Sequence, residues 1–281
     1  MSLLALLQDQ KEHRANQSSC PLNSLPGKMH LLLLLLLLLL ACFLPPGTQA
    51  GEILGGHEAR PHSHPYMACL KISERASECF CGGFLIREDV VLTAAHCNQR
   101  SITVILGAHN IGKSESTQQV IPVSRAIPHK NYNAHSLAND IMLLKLVRKA
   151  RLTSAVQLLR LPRTGAQVRP GQMCSVAGWG RTSPHHLKSS NMLLEVNLII
   201  QDDYQCQLRF PMKYSRATQL CAGDLNLRKN SFKGDSGGPL VCNSVAQGIV
   251  SYGDEYGAPP TAYTKISSFL PWIKETLQMG A

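Results

Sequence analysis

The chain has 281 residues, enough for one large domain or two fused subdomains. It carries 28 Lys and Arg against 18 Asp and Glu, a formal net charge of +10. Such an excess suits polyanionic partners such as sulfated glycans. The lack of zinc-finger spacing and of an aromatic-basic RNA motif argues against nucleic acid.

The first segment reads as a leader, not as folding material. Residues 1–28 are polar and featureless, and Met29 follows them, so they read as an upstream extension from an alternative start. Ten consecutive leucines fill 31–40, and Ala41-Cys42-Phe43-Leu44 lengthens the apolar run to fourteen residues. That is short for a bilayer span. Lys28 precedes the run and the small-residue stretch Gly47-Thr-Gln-Ala50 follows it, which is the layout of a secretory signal peptide, with a membrane anchor as the rival reading. The one Asn-x-Ser/Thr acceptor, Asn16-Gln-Ser18, falls in this discarded part. The residues before Ile53 include three basic and three acidic ones, so the remainder keeps a net charge of +10.

Beyond the leader, short apolar runs recur at 84–86, 90–93, 102–106, 141–146, 174–177, 194–200, 239–242, 247–251 and 262–265, separated by Gly, Pro, Asn and Ser. That rhythm predicts an all-β sandwich or barrel. Gln167-Val-Arg-Pro-Gly171 marks a turn near the middle, either a passage between two halves or an ordinary hairpin connection. Over 268–279, Phe269, Trp272, Ile273 and Leu277 fall at helical spacing and predict an amphipathic C-terminal helix. Eight of the ten cysteines follow the leader. An even number in a secreted chain predicts disulfides, whose pairing the spacing alone does not give.

Four stretches carry chemistry. Ile53-Leu-Gly-Gly56 follows the cleavage region, and Leu92-Thr-Ala-Ala-His-Cys97 sets a histidine between an apolar strand and a cysteine. Asn139-Asp-Ile-Met-Leu-Leu144 puts an aspartate at the mouth of another strand, and Gly234-Asp-Ser-Gly-Gly-Pro239 surrounds a serine with glycines. In the order His, Asp, Ser, these stretches resemble the chymotrypsin-fold serine proteases, whose triad order separates them from unrelated serine hydrolases. The resemblance runs from Ile53 to the terminal helix. It implies an all-β fold of two six-stranded antiparallel β-barrels with a C-terminal helix, a protease domain at 53–281, and no cofactor or metal.

The roles it implies are specific. Ser236 is the nucleophile, His96 its base, and Asp140 the group that orients and stabilises the imidazole. The backbone N–H groups of Gly234 and Ser236 form the oxyanion hole. Gly51-Glu52 resembles the two-residue activation peptide of the granule proteases (granzymes, mast-cell chymases, cathepsin G), which a dipeptidyl peptidase removes. Asp235 then pairs with the new ammonium of Ile53. The resemblance also implies the bridges Cys81–Cys97, Cys174–Cys242 and Cys206–Cys221, while Cys69 and Cys79 are left as a pair or as two free thiols. Phe232 stands where many relatives carry a cysteine of a further bridge, a loss shared by the granzyme, chymase and cathepsin G group.

Strings such as Leu106-Gly-Ala-His-Asn-Ile111 and Ser231-Phe-Lys-Gly-Asp-Ser236 are similar to granzymes of the B and H type. They imply a secreted protease of cytolytic granules acting in lymphocyte-mediated killing, with a chymase-like or cathepsin-G-like protease as the alternative. Asn230 and Ser231 are expected at the floor of the specificity pocket, Thr261 on its wall, and Ser251, Tyr252 and Gly253 along the substrate backbone as an added strand. Neither floor nor wall carries a charge, so large apolar or aromatic side chains are expected there, or else Asn and Gln through Asn230 and Thr261. His62, His64, His185 and His186 lack the spacing of a zinc site and read as exposed loop histidines. Arg148, Lys149 and Arg151 cluster as a candidate proteoglycan contact or an ordinary solvated loop. The rival class is a non-catalytic cationic granule protein that binds glycans or microbial surfaces; an intact triad argues against it.

Overall fold

The computed structural model describes residues 55–72, 79–183, 188–227 and 229–280. The leader, the dipeptide 51–52, Ile53, His185 and His186 lie outside the described residues.

Six strands close a first barrel: β2 (Met67–Lys71), β3 (Cys81–Arg87), β4 (Val90–Thr93), β5 (Thr103–Leu106), β6 (Gln119–Pro128) and β7 (Met142–Leu146), in the order β2-β3-β4-β7-β6-β5. A second sheet takes β1 (His57–Glu58), β8 (Met173–Gly178), β9 (Leu194–Ile199), β10 (Gln219–Ala222), β11 (Pro239–Cys242), β12 (Val245–Tyr252) and β13 (Thr261–Lys265), in the order β1-β9-β8-β11-β12-β13-β10. The far ends of β9 and β10 also meet. Gln201 N–H donates to Cys221 O at 2.9 Å and Gly223 N–H to Ile199 O at 3.0 Å. The six strands β8 to β13 therefore curl into a second barrel, and the two-residue β1 is added on the free part of β9, as His57 pairs with Glu195. This is the expected chymotrypsin-type architecture.

Closed barrels leave no unpaired edge. Their interiors explain the apolar runs: Leu70, Phe84, Leu85, Leu92, Ile121 and Leu143 are fully buried in the first barrel, each worth about 2 kcal/mol of burial. Four strands escaped the sequence reading. β2 is buried at all five positions, Lys71 included, so it lacks alternation. β6 contains Pro122, Pro128 and Arg125, which disguise a strand. β1 and β10 are two and four residues long.

A short helix, α1 (Asp203–Arg209), was also not legible. Its N-terminus is capped by Asp202, which accepts from Gln205 N–H at 2.8 Å, but it buries only Cys206 and so carries no apolar stripe. The predicted terminal helix is α2 (Leu270–Gln278), preceded by a 3-10 turn at Ile266–Phe269, with Pro271 in its first turn.

Candidate active site

Strand pairing brings the histidine and the first aspartate together. β4 and β7 run antiparallel with Thr93 opposite Met142. The chain leaving β4 and the chain entering β7 are therefore neighbours. His96 sits on a 3-10 turn at Ala95–Cys97 just after β4, and Asp140 lies two residues before β7. Asp140 is fully buried. Its Oδ1 accepts from His96 N–H at 2.9 Å and its Oδ2 from His96 Nδ1 at 2.7 Å.

The second barrel completes this carboxylate. Ser251 on β12 donates its hydroxyl to Asp140 Oδ2 at 2.5 Å, and Thr264 on β13 donates to the Asp140 carbonyl at 2.7 Å. Three donors compensate the burial of the charge. Because a carboxylate only accepts, His96 Nδ1 carries the hydrogen, and Nε2 is left as the acceptor. Nothing local in the sequence marks Thr264, and the family resemblance points to Ser251 only as a substrate contact.

Ser236 reaches the same place from the second barrel. Its carbonyl accepts from Gly82 N–H of β3 at 2.7 Å, and Cys97 Sγ, next to His96, lies 3.8 Å from that oxygen. The Cys81–Cys97 bridge ties β3 to the histidine turn. Gly234 holds a φ of +101°, and a Cβ there would stand 2.7 Å from Gly180 Cα, so both conformation and contact demand glycine.

Asp235 is the second fully buried carboxylate. Its two oxygens accept from Gly180 N–H and Phe232 N–H, each at 2.9 Å. Burial nonetheless pushes its pKa up to about 6, and no cation faces it among the described residues. Ile53, its expected partner, is outside them.

Beside Ser236 opens a cavity of about 300 Å³, lined by Ser231, Phe232, Val250, Ser251, Tyr252, Gly253 and Thr261 among others. Its wall is neutral where Thr261 stands, and a Cβ on Gly253 would come within 2.7 Å of Thr261 Oγ1 across it. Ser231 and Tyr263 hydroxyls bond each other at 2.9 Å. Asn230, expected at the floor, is buried. Its amide donates to Gly257 O at 3.3 Å, and its Oδ1 is enclosed without a hydrogen-bond partner among the described residues. Lys233, Asp254 and Glu255 also line the cavity, and no motif in the sequence marks them.

The remaining candidates resolve in turn. Cys174–Cys242 and Cys206–Cys221 are bridged, and so are Cys69 and Cys79, which closes the alternative of free thiols. Among the described residues one His/Cys cluster is tight enough for a metal, Cys81, His96 and Cys97, and its sulfurs are consumed by their own disulfide. His64 is not an exposed loop histidine: it is half-buried, bonded through Nε2 to Glu195 Oε2 at 2.5 Å and through Nδ1 to Tyr66 at 2.9 Å. Arg148, Lys149 and Arg151 are exposed, with Lys149 paired to Glu88 at 2.9 Å. No helix among the described residues is long and apolar enough to cross a membrane.

The family model described as Trypsin matches residues 53–273. Granzyme B of Homo sapiens is 60% identical over 239 residues, covering 85% of this chain and 96% of that protein. Duodenase-1 of Bos taurus is 59% identical over 239 residues, covering 85% and 94%. A solved structure titled "Structure of GrC" is 52% identical, with a TM-score of 0.75 over 80% of this chain and 99% of that one. The chain belongs to the trypsin family and is a granzyme-like, chymotrypsin-fold serine endopeptidase.

Proposed function

We propose that the endopeptidase works through an acyl-enzyme on Ser236, with His96 and Asp140 as its partners. The observation that carries this reading is the bond from His96 Nδ1 to the buried Asp140, which directs Nε2 outward as a base. His96 takes the Ser236 proton as the hydroxyl attacks the carbonyl carbon, then returns it to the leaving amine. Asp140 holds the tautomer and stabilises the imidazolium. The N–H groups of Gly234 and Ser236 stabilise the oxyanion, each worth roughly 3–4 kcal/mol.

The enzyme is made with a leader ending at Ala50 and is activated when a dipeptidyl peptidase removes Gly51-Glu52. The ammonium of Ile53 then pairs with Asp235, whose raised pKa supports the need for a cation. The neutral cavity takes large apolar or aromatic side chains on the acyl side of the scissile bond, with Ser251, Tyr252 and Gly253 pairing with the substrate backbone. The chain's net positive charge holds the enzyme on sulfated proteoglycan of the secretory granule.

One experiment tests both chemistry and pocket. The protein trimmed to Ile53 is treated with a fluorophosphonate probe and, separately, profiled on a peptide library. The expected outcome is labelling that Ser236→Ala abolishes, with cleavage after Phe, Tyr, Leu or Met. No labelling where an active relative labels would support a binding protein instead; dominant cleavage after Asp would sink the neutral-pocket reading.

A further inference from the structure

The wall of the cleft that carries Ser251, Tyr252 and Gly253 holds a cation without a counter-ion. Lys213, four residues past the end of α1, stands on the ring of Tyr252 with Nζ 4.0 Å from the centroid. That ring is fixed from below: Phe210 meets it edge-on at 5.1 Å, and its hydroxyl donates to Gln219 Oε1 at 3.2 Å. The ammonium is therefore held on a rigid platform at the edge of the site rather than waving in solvent.

The carboxylates nearby are already engaged. Asp254 is paired with Arg209 and accepts from Tyr256 N–H at 2.8 Å. Asp203 accepts from Tyr214 at 2.5 Å, and Asp140 from His96 and Ser251. Among the described residues none lies within ion-pair distance of Lys213. Desolvation lowers the Lys213 pKa, and the Asp140 charge pulls it back up. A half-desolvated ammonium lacking an anion gains most when one arrives.

The added-strand geometry says which substrate residue could bring it. Side chains alternate along an extended peptide. When one side chain enters the cavity, the second and fourth residues upstream of the scissile bond point to the other face. Tyr252 stands between Ser251 and Gly253, so its ring and Lys213 occupy the side facing those alternate residues. We propose that Lys213, mounted on Tyr252, is a specificity-determining cation that selects substrates with an Asp or Glu side chain at the second or fourth residue upstream of the cleaved bond. This rests on reading 251–253 as the substrate-pairing segment.

The test uses protein trimmed to Ile53 and two variants, Lys213→Gln and Lys213→Arg. A first peptide series varies only the residue at the cleaved bond (Phe, Gln, Asp), and the best cleaved becomes the anchor. A second series compares Glu with Gln at the second, third and fourth upstream positions. Glu is expected to raise kcat/KM about three- to fivefold over Gln at the second or fourth position. The ratio should fall to about one in Lys213→Gln, persist in Lys213→Arg, and shrink with added salt. No Glu preference, a preference confined to the third position, or one that survives Lys213→Gln overturns the proposal. Because the Glu-to-Gln ratio is taken at a fixed anchor, failure of the neutral-pocket reading in the first series leaves this test intact.

Discussion

Two aspartates are buried equally deeply in the same cleft, yet their surroundings differ. Asp140 has a complete set of donors: a backbone N–H, an imidazole and a hydroxyl from the other barrel. Asp235 has two backbone N–H groups and, among the described residues, nothing else, and its pKa is pushed up to about 6. The first carboxylate is finished when the barrels pack. Under the proposed activation, the second waits for the ammonium of Ile53, made when the chain is cut. On that proposal, comparable burial serves a permanent scaffold in one case and a switch in the other.

The largest expected effect comes from breaking the finished site. Asp140→Asn keeps the shape but offers an N–H where His96 Nδ1 needs an acceptor, so the imidazole adopts the wrong tautomer. Steady-state assays on the trimmed enzyme should show kcat lower by roughly 10⁴-fold, with the melting temperature nearly kept. A retained rate would mean that the His96–Asp140 bond does not orient the base.

A smaller effect tests the contribution of the second barrel. Ser251→Ala removes one of three donors from a buried carboxylate, a loss of about 1–2 kcal/mol. The same assay should give about a tenfold drop in kcat/KM, well short of the Asp140 variant. If the two losses are equal, the hydroxyl is as necessary as the imidazole bond and the donors are not graded.

The smallest effect sharpens the contrast between scaffold and switch. In the uncut chain the Asp235 pKa lies above the roughly 3.9 of an unfolded carboxylate. Stability is then fully present below that unfolded value and is lost as pH rises through about 6. If the proposed pairing forms, the ammonium of Ile53 offsets this loss in the trimmed chain. The melting-temperature gap between trimmed and uncut protein should therefore widen by about 5 °C from pH 5 to pH 7.5. Asp235→Asn should flatten the gap, and a gap independent of pH would remove Asp235 from the switch.

Much of this was legible because its signals are local. The glycines around Ser236, the His96-Cys97 pair and the Asp140 strand mouth each announce themselves within a few residues. Nine apolar runs marked most of the strands, and helical spacing marked α2. What escaped had no local signal: β2 is buried on both faces, β6 carries prolines, and α1 buries a single cysteine. The surroundings of Asn230 were hidden for a related reason. Its position before the nucleophile marks it as near the pocket, but whether it faces the cavity or lies sealed under it depends on Gly257 and Ala258, which approach from a distant loop.

The sequence by itself determined which groups the proposed chemistry can use: the serine at 236, the histidine at 96, eight cysteines after the leader and an uncharged residue at Thr261. Those depend on residue identity and order, and no folding can change them. Tertiary structure alone decided how polar groups are satisfied. It brought Ser251 and Thr264 to Asp140, left Asp235 without a cation among the described residues, joined Cys69 to Cys79, and set Lys213 on Tyr252. The energy of a buried charge is set by which donors come within about 3 Å. Ser251 and Thr264 reach Asp140 from strands 111 and 124 residues away, so no local stretch of sequence records them.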